Sequence, residues 1–166
     1  MNNLINFIGD FQGQIFFTSS TGVYPKKHKN YSEDDLPIEV NDIEYQIKKS
    51  YPQVNILRLG GLMGADRLLR NYNPKDLTSS VNHVHYHDVC SVIIKMIEKG
   101  HHKSLYNVVA PLHPSKKEIL ESQLTNKTEA ITKPTGRVIL SSKLITELGF
   151  AFEYPDPRTF HTYEQA

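Results

Sequence analysis

Three groups of residues in this sequence have types and spacings that could do chemistry. The first is Thr18-Ser19-Ser20-Thr21-Gly22-Val23-Tyr24, which follows the contiguous apolar residues Ile15, Phe16 and Phe17. Hydroxyls at the carboxyl end of a buried parallel strand stand where open α/β sheets take ligands. The same residues also suit a turn in which Ser and Thr bond local backbone groups. The second is His83-Val84-His85-Tyr86-His87-Asp88. Alternation along a strand would place three imidazoles on one face, and imidazole binds zinc and nickel. Neighbouring ligands on one strand face stand roughly 6–7 Å apart, whereas a tetrahedral site usually draws on separate elements; no metal site is expected. The third is a set of cationic and amide groups. Arg58 ends an apolar strand and should be buried against a carboxylate or a helix end. Arg67 and Arg70 flank the loop after Gly64, where they could meet an anionic substrate or simply be solvated. Asn107 falls on a strand that should be buried, so its amide needs partners. His101 and His102 follow Gly100 and read as solvated turn residues.

The elements that must hold these groups alternate between short β-rich runs and amphipathic helical runs. Residues 14–19 read as a strand buried on both faces, broken by Gly22 and Pro25. A helix is expected to start near Pro37, a first-turn residue. Leu36, Val40, Ile43 and Ile47 would form its apolar face, and Pro52 would stop it. Residues 54–59 form a second apolar strand, followed at once by Gly60-Gly61. Asp88 is expected to cap the next helix, with Val89, Val92, Ile93, Met96 and Ile97 as its stripe and Gly100 in the left-handed position beyond its end. A third strand is read over 105–109. Ser115 and Glu118 then make a capping-box pattern before Ile119 and Leu120. A short strand over 138–140 leads into a helix that ends at Leu148, closed by Gly149. Alternation of this kind implies parallel strands and an α/β fold.

Size and composition bound the reading. The 166 residues and 19.0 kDa suffice for one domain with a real core, taken as 1–166. Net charge is +1, from 19 Lys+Arg against 18 Asp+Glu, so no single-sign field recruits nucleic acid or anionic lipid. The single cysteine, Cys90, excludes an internal disulfide framework and a cysteine-based zinc site. No signal peptide and no membrane-length apolar run is read. The expected compartment is the cytoplasm.

Five segments, taken in order, resemble the extended short-chain dehydrogenases/reductases of the nucleotide-sugar epimerase/dehydratase group. Thr18 to Tyr24 resembles that family's SS-x-x-V-Y strand end. Ile56-Leu57-Arg58-Leu59 with Gly60 to Gly64 resembles its ILR strand and turn. His85-Tyr86-His87-Asp88-Val89 resembles its H-x-x-D-V helix entry. Leu105-Tyr106-Asn107-Val108-Val109 resembles its YNV strand, and Lys143-Leu144 with Glu147-Leu148-Gly149-Phe150 its KL…ELGF segment.

The resemblance implies a partial Rossmann-like, doubly wound parallel sheet of about three strands with a small C-terminal substrate-side lobe. It implies an NAD(P)-dependent oxidoreductase acting on a sugar-like or small carbonyl substrate. Ser20 matches the family's catalytic Ser/Thr position, and Ser19, Arg58, Gly60 and Gly61 match positions near its cofactor. Two departures stand beside the match. The family's glycine-rich strand–turn–helix, whose helix N-terminus holds a pyrophosphate, has no counterpart in the sequence. The chain therefore resembles the family's C-terminal half, and NAD or NADP is not expected to bind this chain alone. The family's Tyr-x-x-x-Lys pair, in which the lysine lowers the pKa of a proton-transferring tyrosine, falls on Leu36 and Val40. One such pair does occur, Tyr45 with Lys49, but it lies close to the following strand, and nine tyrosines make about one pair by chance. Loss of the tyrosine resembles the family's atypical branch. A non-catalytic binding or regulatory protein on the same fold, or an inactive remnant, is the alternative. With a neighbouring strand absent from the sequence, residues 14–19 should form an exposed sheet edge, with homodimerisation or looser association through Ile15, Phe16 and Phe17.

Overall fold

The computed structural model of the chain describes residues 2–35 and 42–162. Helix α1 (Asn2–Ile8) leads into strand β1 (Phe16–Ser20), a 3-10 turn (Thr21–Val23) and the short strand β2 (Asn30–Tyr31). Helix α2 (Asp42–Ser50) is followed by β3 (Asn55–Leu59), β4 (Gly61–Met63), β5 (His83–His85) and α3 (Tyr86–Glu98). Strand β6 (Leu105–Val108), α4 (Lys116–Thr125), β7 (Val138–Ile139) and α5 (Ser142–Leu148) complete the order.

The expected α/β architecture with a partial parallel sheet is what the chain forms. The main sheet has order β1-β3-β6 and both its ladders are parallel. Two smaller parallel pairs, β2 with β7 and β4 with β5, flank it. Strand β3 is apolar on both sides because helices cover both of its faces. On one face, Leu57, Tyr106 and Val108 pack with Val92 and Met96 of α3 and Leu144 and Leu148 of α5. On the other, Ile56 packs with Ile47 and Tyr51, and α1 adds Ile5 and Ile8. A separate cluster of Met63, Leu69, Val81, Ile119, Tyr154 and Phe160 forms the core of the C-terminal lobe.

Several expectations are corrected in detail. Strand β1 starts at Phe16 rather than Gln14, although the Ile15 carbonyl still accepts the Asn55 N–H at 2.8 Å. On α2, Ile47 is buried but Ile43 is half exposed, because the buried slot beside it is taken by Glu44, whose partner is Arg58. Leu36, Pro37 and Val40, which carry the expected helix start and the family's Tyr and Lys positions, lie outside the described residues. Asp88 does not cap α3. His85 is the N-cap, and the buried Asp88 carboxylate instead accepts the backbone N–H groups of Glu153 and Tyr154 at 2.9 and 3.1 Å. A carboxylate in the first turn is thus spent on pinning the C-terminal segment. On α3, Val89, Val92 and Met96 are buried while Ile97 is exposed. His101 is partly buried rather than solvated: its ring faces the Ser104 hydroxyl, and its carbonyl accepts from the Asn55 and Gln14 amides. The capping box at Ser115 and Glu118 is complete, and Gly100 and Gly149 adopt positive φ.

Candidate functional site

The ladder register sets Ser19, Arg58 and Asn107 side by side across β1, β3 and β6. They share the α2 face with Ile56 one pair earlier, so the face changes from apolar to polar at the carboxyl edge of the sheet. Arg58 is only 3% exposed. Its guanidinium grips Glu44 of α2 through two bonds of 3.1 and 2.8 Å, and it donates a third, of 2.8 Å, to the Tyr24 hydroxyl. Ser19 donates to the same Glu44 carboxylate at 2.6 Å. The Tyr24 hydroxyl donates to the Asn107 side-chain oxygen Oδ1 at 2.9 Å, and the Asn107 side-chain NH2 donates to Leu140 O at 3.1 Å. The expected burial of Arg58 against a carboxylate, and the need of Asn107 for partners, are both met here. Burial pushes the Glu44 carboxyl up, but its bonds from Arg58 and Ser19 and the adjacent positive charge outweigh burial and hold it below the usual range. Burial also raises the Tyr24 phenol. The network is therefore a charged, closed device for holding three strands and a turn, with no member directed at solvent.

Ser20 points the other way. It ends β1 in extended backbone, and its hydroxyl accepts the Gly22 N–H at 3.0 Å, capping the 3-10 turn. The side chain is exposed, and accepting that bond leaves its own proton for an outside oxygen. Arg137 braces the turn from the far side of the chain: one guanidinium nitrogen donates to Thr21 O at 3.3 Å and Tyr24 O at 2.8 Å. Asn82 joins the same corner. Its amide donates to Arg137 O at 2.9 Å, its side-chain oxygen accepts Ile139 N at 2.7 Å, and its carbonyl accepts Gly61 N at 2.8 Å.

Of the residues singled out in the sequence, the structure joins Ser19 and Arg58 in the network and leaves Ser20 beside it on the surface. Gly60 and Gly61 answer to internal packing: a Cβ on Gly60 would strike the Asn82 carbonyl, and one on Gly61 would lie 2.7 Å from the His83 ring. Tyr45 is 58% exposed on the solvent side of α2, and Lys49 is exposed as well. Ser19, Arg58, Gly60 and Gly61 are thus each engaged with the protein itself. The described residues hold no glycine-rich strand–turn–helix to take a pyrophosphate. The three histidines do not share a strand face, because β5 ends at His85 and His87 lies in the first turn of α3. Among the described residues no group of three or more His, Cys, Asp or Glu could hold a metal ion. His85 is 2% exposed, stacks on Tyr154 with ring centroids 3.8 Å apart, and is held by burial at a pKa of about 4. Arg70 is bound to Gln123 through its backbone N–H and its side chain, and Arg67 is exposed on the loop. Sequence reasoning missed Glu33, whose carboxylate accepts the Asn107 N–H at 2.6 Å, and Arg137; neither carries a local pattern.

The fold built around the three-stranded parallel sheet recurs among solved structures. Among solved structures, human epimerase family protein SDR39U1 (isoform 2) with NADPH superposes with a TM-score of 0.70 at 12% identity, over 95% of this chain and 68% of that one. UDP-glucuronic acid 4-epimerase from Bacillus cereus in complex with NAD gives 0.72 at 17% identity, over 97% and 63%. A functionally unknown conserved protein from Silicibacter pomeroyi gives 0.72 at 16%, over 99% and 69%. The chain shares with these structures a part of their α/β fold, a partial Rossmann-like parallel sheet. In sequence it is 30% identical to protein YeeZ of Escherichia coli K12, over 87% of this chain. The match spans 60% of the length of YeeZ. No family model matches the sequence. Among the described residues no helix is long and apolar enough to cross a membrane.

Proposed function

We propose that this chain forms the substrate-side part of an NAD(P)-dependent, epimerase/dehydratase-like oxidoreductase acting on a sugar-like or small carbonyl substrate in the cytoplasm. The reading is carried by Ser20: an exposed hydroxyl at the carboxyl end of β1, oriented by the Gly22 N–H, in a fold shared with NADPH- and NAD-bound epimerase structures. The nicotinamide would supply or remove hydride. The part of this chain is to hold the substrate oxygen by the Ser20 proton, on a turn braced by Arg137 and seated on the Arg58 network. A second reading, a binding or regulatory protein without catalysis, is favoured by one observation: Tyr45 and Lys49, the one Tyr-x-x-x-Lys pair, both face solvent.

The test is a chimaera in which the unmatched part of E. coli YeeZ is joined to this chain. NADH and NADPH are titrated by fluorescence against the chimaera and against the chain alone. The expected result is micromolar binding by the chimaera and none in that range by the chain, since the pyrophosphate of this fold needs a helix N-terminus. A folded chimaera that binds neither nucleotide would overturn the reading. Binding of nucleotide without turnover of any carbonyl substrate, unchanged by Ser20→Ala, would favour the second one.

A further inference from the structure

The five arginines of the chain are placed in three ways. Arg67 and Arg70 are exposed. Arg58 and Arg158 are buried, and each grips a carboxylate, Glu44 and Asp156 respectively. Arg137 is half-buried, yet among the described residues no carboxylate pairs with it. Drawing a charge partly out of water costs free energy unless a counter-charge offsets it. Both side-chain hydrogen bonds of Arg137 leave from one nitrogen, Nη1, to Thr21 O at 3.3 Å and Tyr24 O at 2.8 Å. Nε and Nη2 bond nothing among the described residues, and neither is sealed from solvent. These two nitrogens form one edge of the guanidinium plane, an edge that takes a carboxylate or phosphate through two parallel bonds.

That edge is held in place before any ligand arrives. The Arg137 carbonyl accepts from the Asn82 amide at 2.9 Å, and the next N–H, of Val138, donates to Lys29 O at 3.1 Å. The guanidinium is fixed by the turn that carries Ser20. This is a single 3-10 turn, closed by the Tyr24 N–H on Thr21 O at 3.3 Å and about 6 Å long. The Ser20 hydroxyl is oriented inside the same turn by the Gly22 N–H. The local field is positive as well. From Phe11 to Ser32 the sequence holds three lysines and no acidic residue. Lys29 pairs with Asp35, whereas Lys26 and Lys27 are exposed and have no carboxylate partner among the described residues.

We infer that the Nε–Nη2 edge of Arg137 binds an anion, a carboxylate or phosphate group that the substrate carries within a few bonds of the oxygen held by Ser20. The inference rests on the proposed function for that oxygen and names the class of substrate: an oxo or hydroxy compound with a negative charge close to its reacting carbon. A ligand anchored at both Ser20 and Arg137 is oriented as well as bound. A neutral carbonyl compound leaves the arginine edge unfilled and gains only the Ser20 bond.

The test titrates the 166-residue chain with acetoacetate, with dihydroxyacetone phosphate and with neutral dihydroxyacetone at constant ionic strength. Backbone amide and Arg137 Nε–H resonances are followed by NMR. The expected result is that both anions shift the Arg137 Nε–H and the Gly22 N–H with a common midpoint, and that dihydroxyacetone binds roughly tenfold more weakly or less. The tighter of the two anions identifies the charged group. Arg137→Lys keeps the charge and a donor for the turn but loses the fork, and it should weaken both anions roughly tenfold. The Arg137 Nε–H of the parent chain is a readout that needs no variant, so a loosened turn in Arg137→Lys does not blunt the test. Anions that leave this resonance unmoved, or that move it no more than potassium chloride does, overturn the inference. Equal binding of neutral and charged carbonyl compounds overturns it too. Anion binding at Arg137 beside a YeeZ chimaera that takes no nucleotide sustains the site and removes the proposed function. A chimaera that binds nucleotide and turns over neutral and anionic carbonyl compounds alike does the reverse.

Discussion

The two faces of β3 hold the same strand by different means. Toward α3 and α5, Leu57 sits among Val92, Met96, Tyr106 and Leu144. Toward α2, Ile56 is followed by Arg58, which binds Glu44 and Tyr24. On the apolar face each methylene lost removes its own contacts and leaves a cavity into which the neighbours relax in part. The polar face is conditional. Each group is tolerated in the interior only while its partners are present, so removing one exposes the cost of burying the rest. One face tolerates variation in shape, and the other specifies which residues meet.

The largest effect should come from breaking the polar face on one side. Arg58→Met leaves the buried Glu44 carboxylate uncompensated and should cost about 3–5 kcal/mol in urea unfolding. Adding Glu44→Leu should return much of that, since an ion pair replaced by apolar groups is often near neutral. On the opposite face, Leu57→Ala should cost about 3 kcal/mol, with no partner mutation able to restore it. Strong coupling in the Arg58–Glu44 pair beside weaker coupling in a Leu57→Ala/Met96→Leu pair would sustain the contrast; equal coupling on both faces would end it.

Acid separates the regions further. Burial holds His83 and His85 at pKa values of about 4 in the folded chain, against an ordinary value of 6.5. Protons then bind the unfolded state better, so this stability is present above pH 6.5 and is lost as pH falls from 6.5 toward 4, by about 1.4 kcal/mol per pH unit for each histidine at most. Glu44 is depressed below its ordinary 4.5, so its contribution is full above that pH and is lost only as pH falls from 4.5 through its lower folded value. Unfolding midpoints taken from pH 7 to pH 4 should therefore fall, and His85→Phe should flatten the slope while Glu44→Gln should not. The smallest effect belongs to Tyr45→Phe, which on an exposed helix face should change stability by less than about 0.5 kcal/mol. In a nucleotide-binding chimaera it should leave any turnover within about threefold, whereas a working general acid would cost 10²–10⁴-fold.

Local signals carried the sequence reading far. Contiguous apolar residues marked β1, β3 and β6, while Ser115 with Glu118 and the glycines at 100 and 149 marked helix ends, because each of these is decided within a few residues. What stayed hidden depends on distance along the chain. Glu33 is an ordinary acidic residue until the fold lays it on the β6 edge, and Arg137 is an ordinary loop arginine until it reaches Tyr24 O. Asp88 sat where a helix N-terminus favours a carboxylate, so the local rule gave the wrong partner. Ser19 and Arg58 could be placed on their strands, but only the register showed that they share a row with Asn107.

The β2–β7 pair has a consequence in time. Asn30 pairs with Val138 and Tyr31 with Ile139, over a hundred residues apart, and the Tyr24–Tyr31 aromatic pair packs against Ile139. A contact of that span forms late, because the intervening chain must first be ordered. During synthesis, the turn that carries Ser20 leaves the ribosome before Arg137 and Ile139 and waits for both before it is braced. The hydroxyl at the end of β1 is made well before the residues that set it in place.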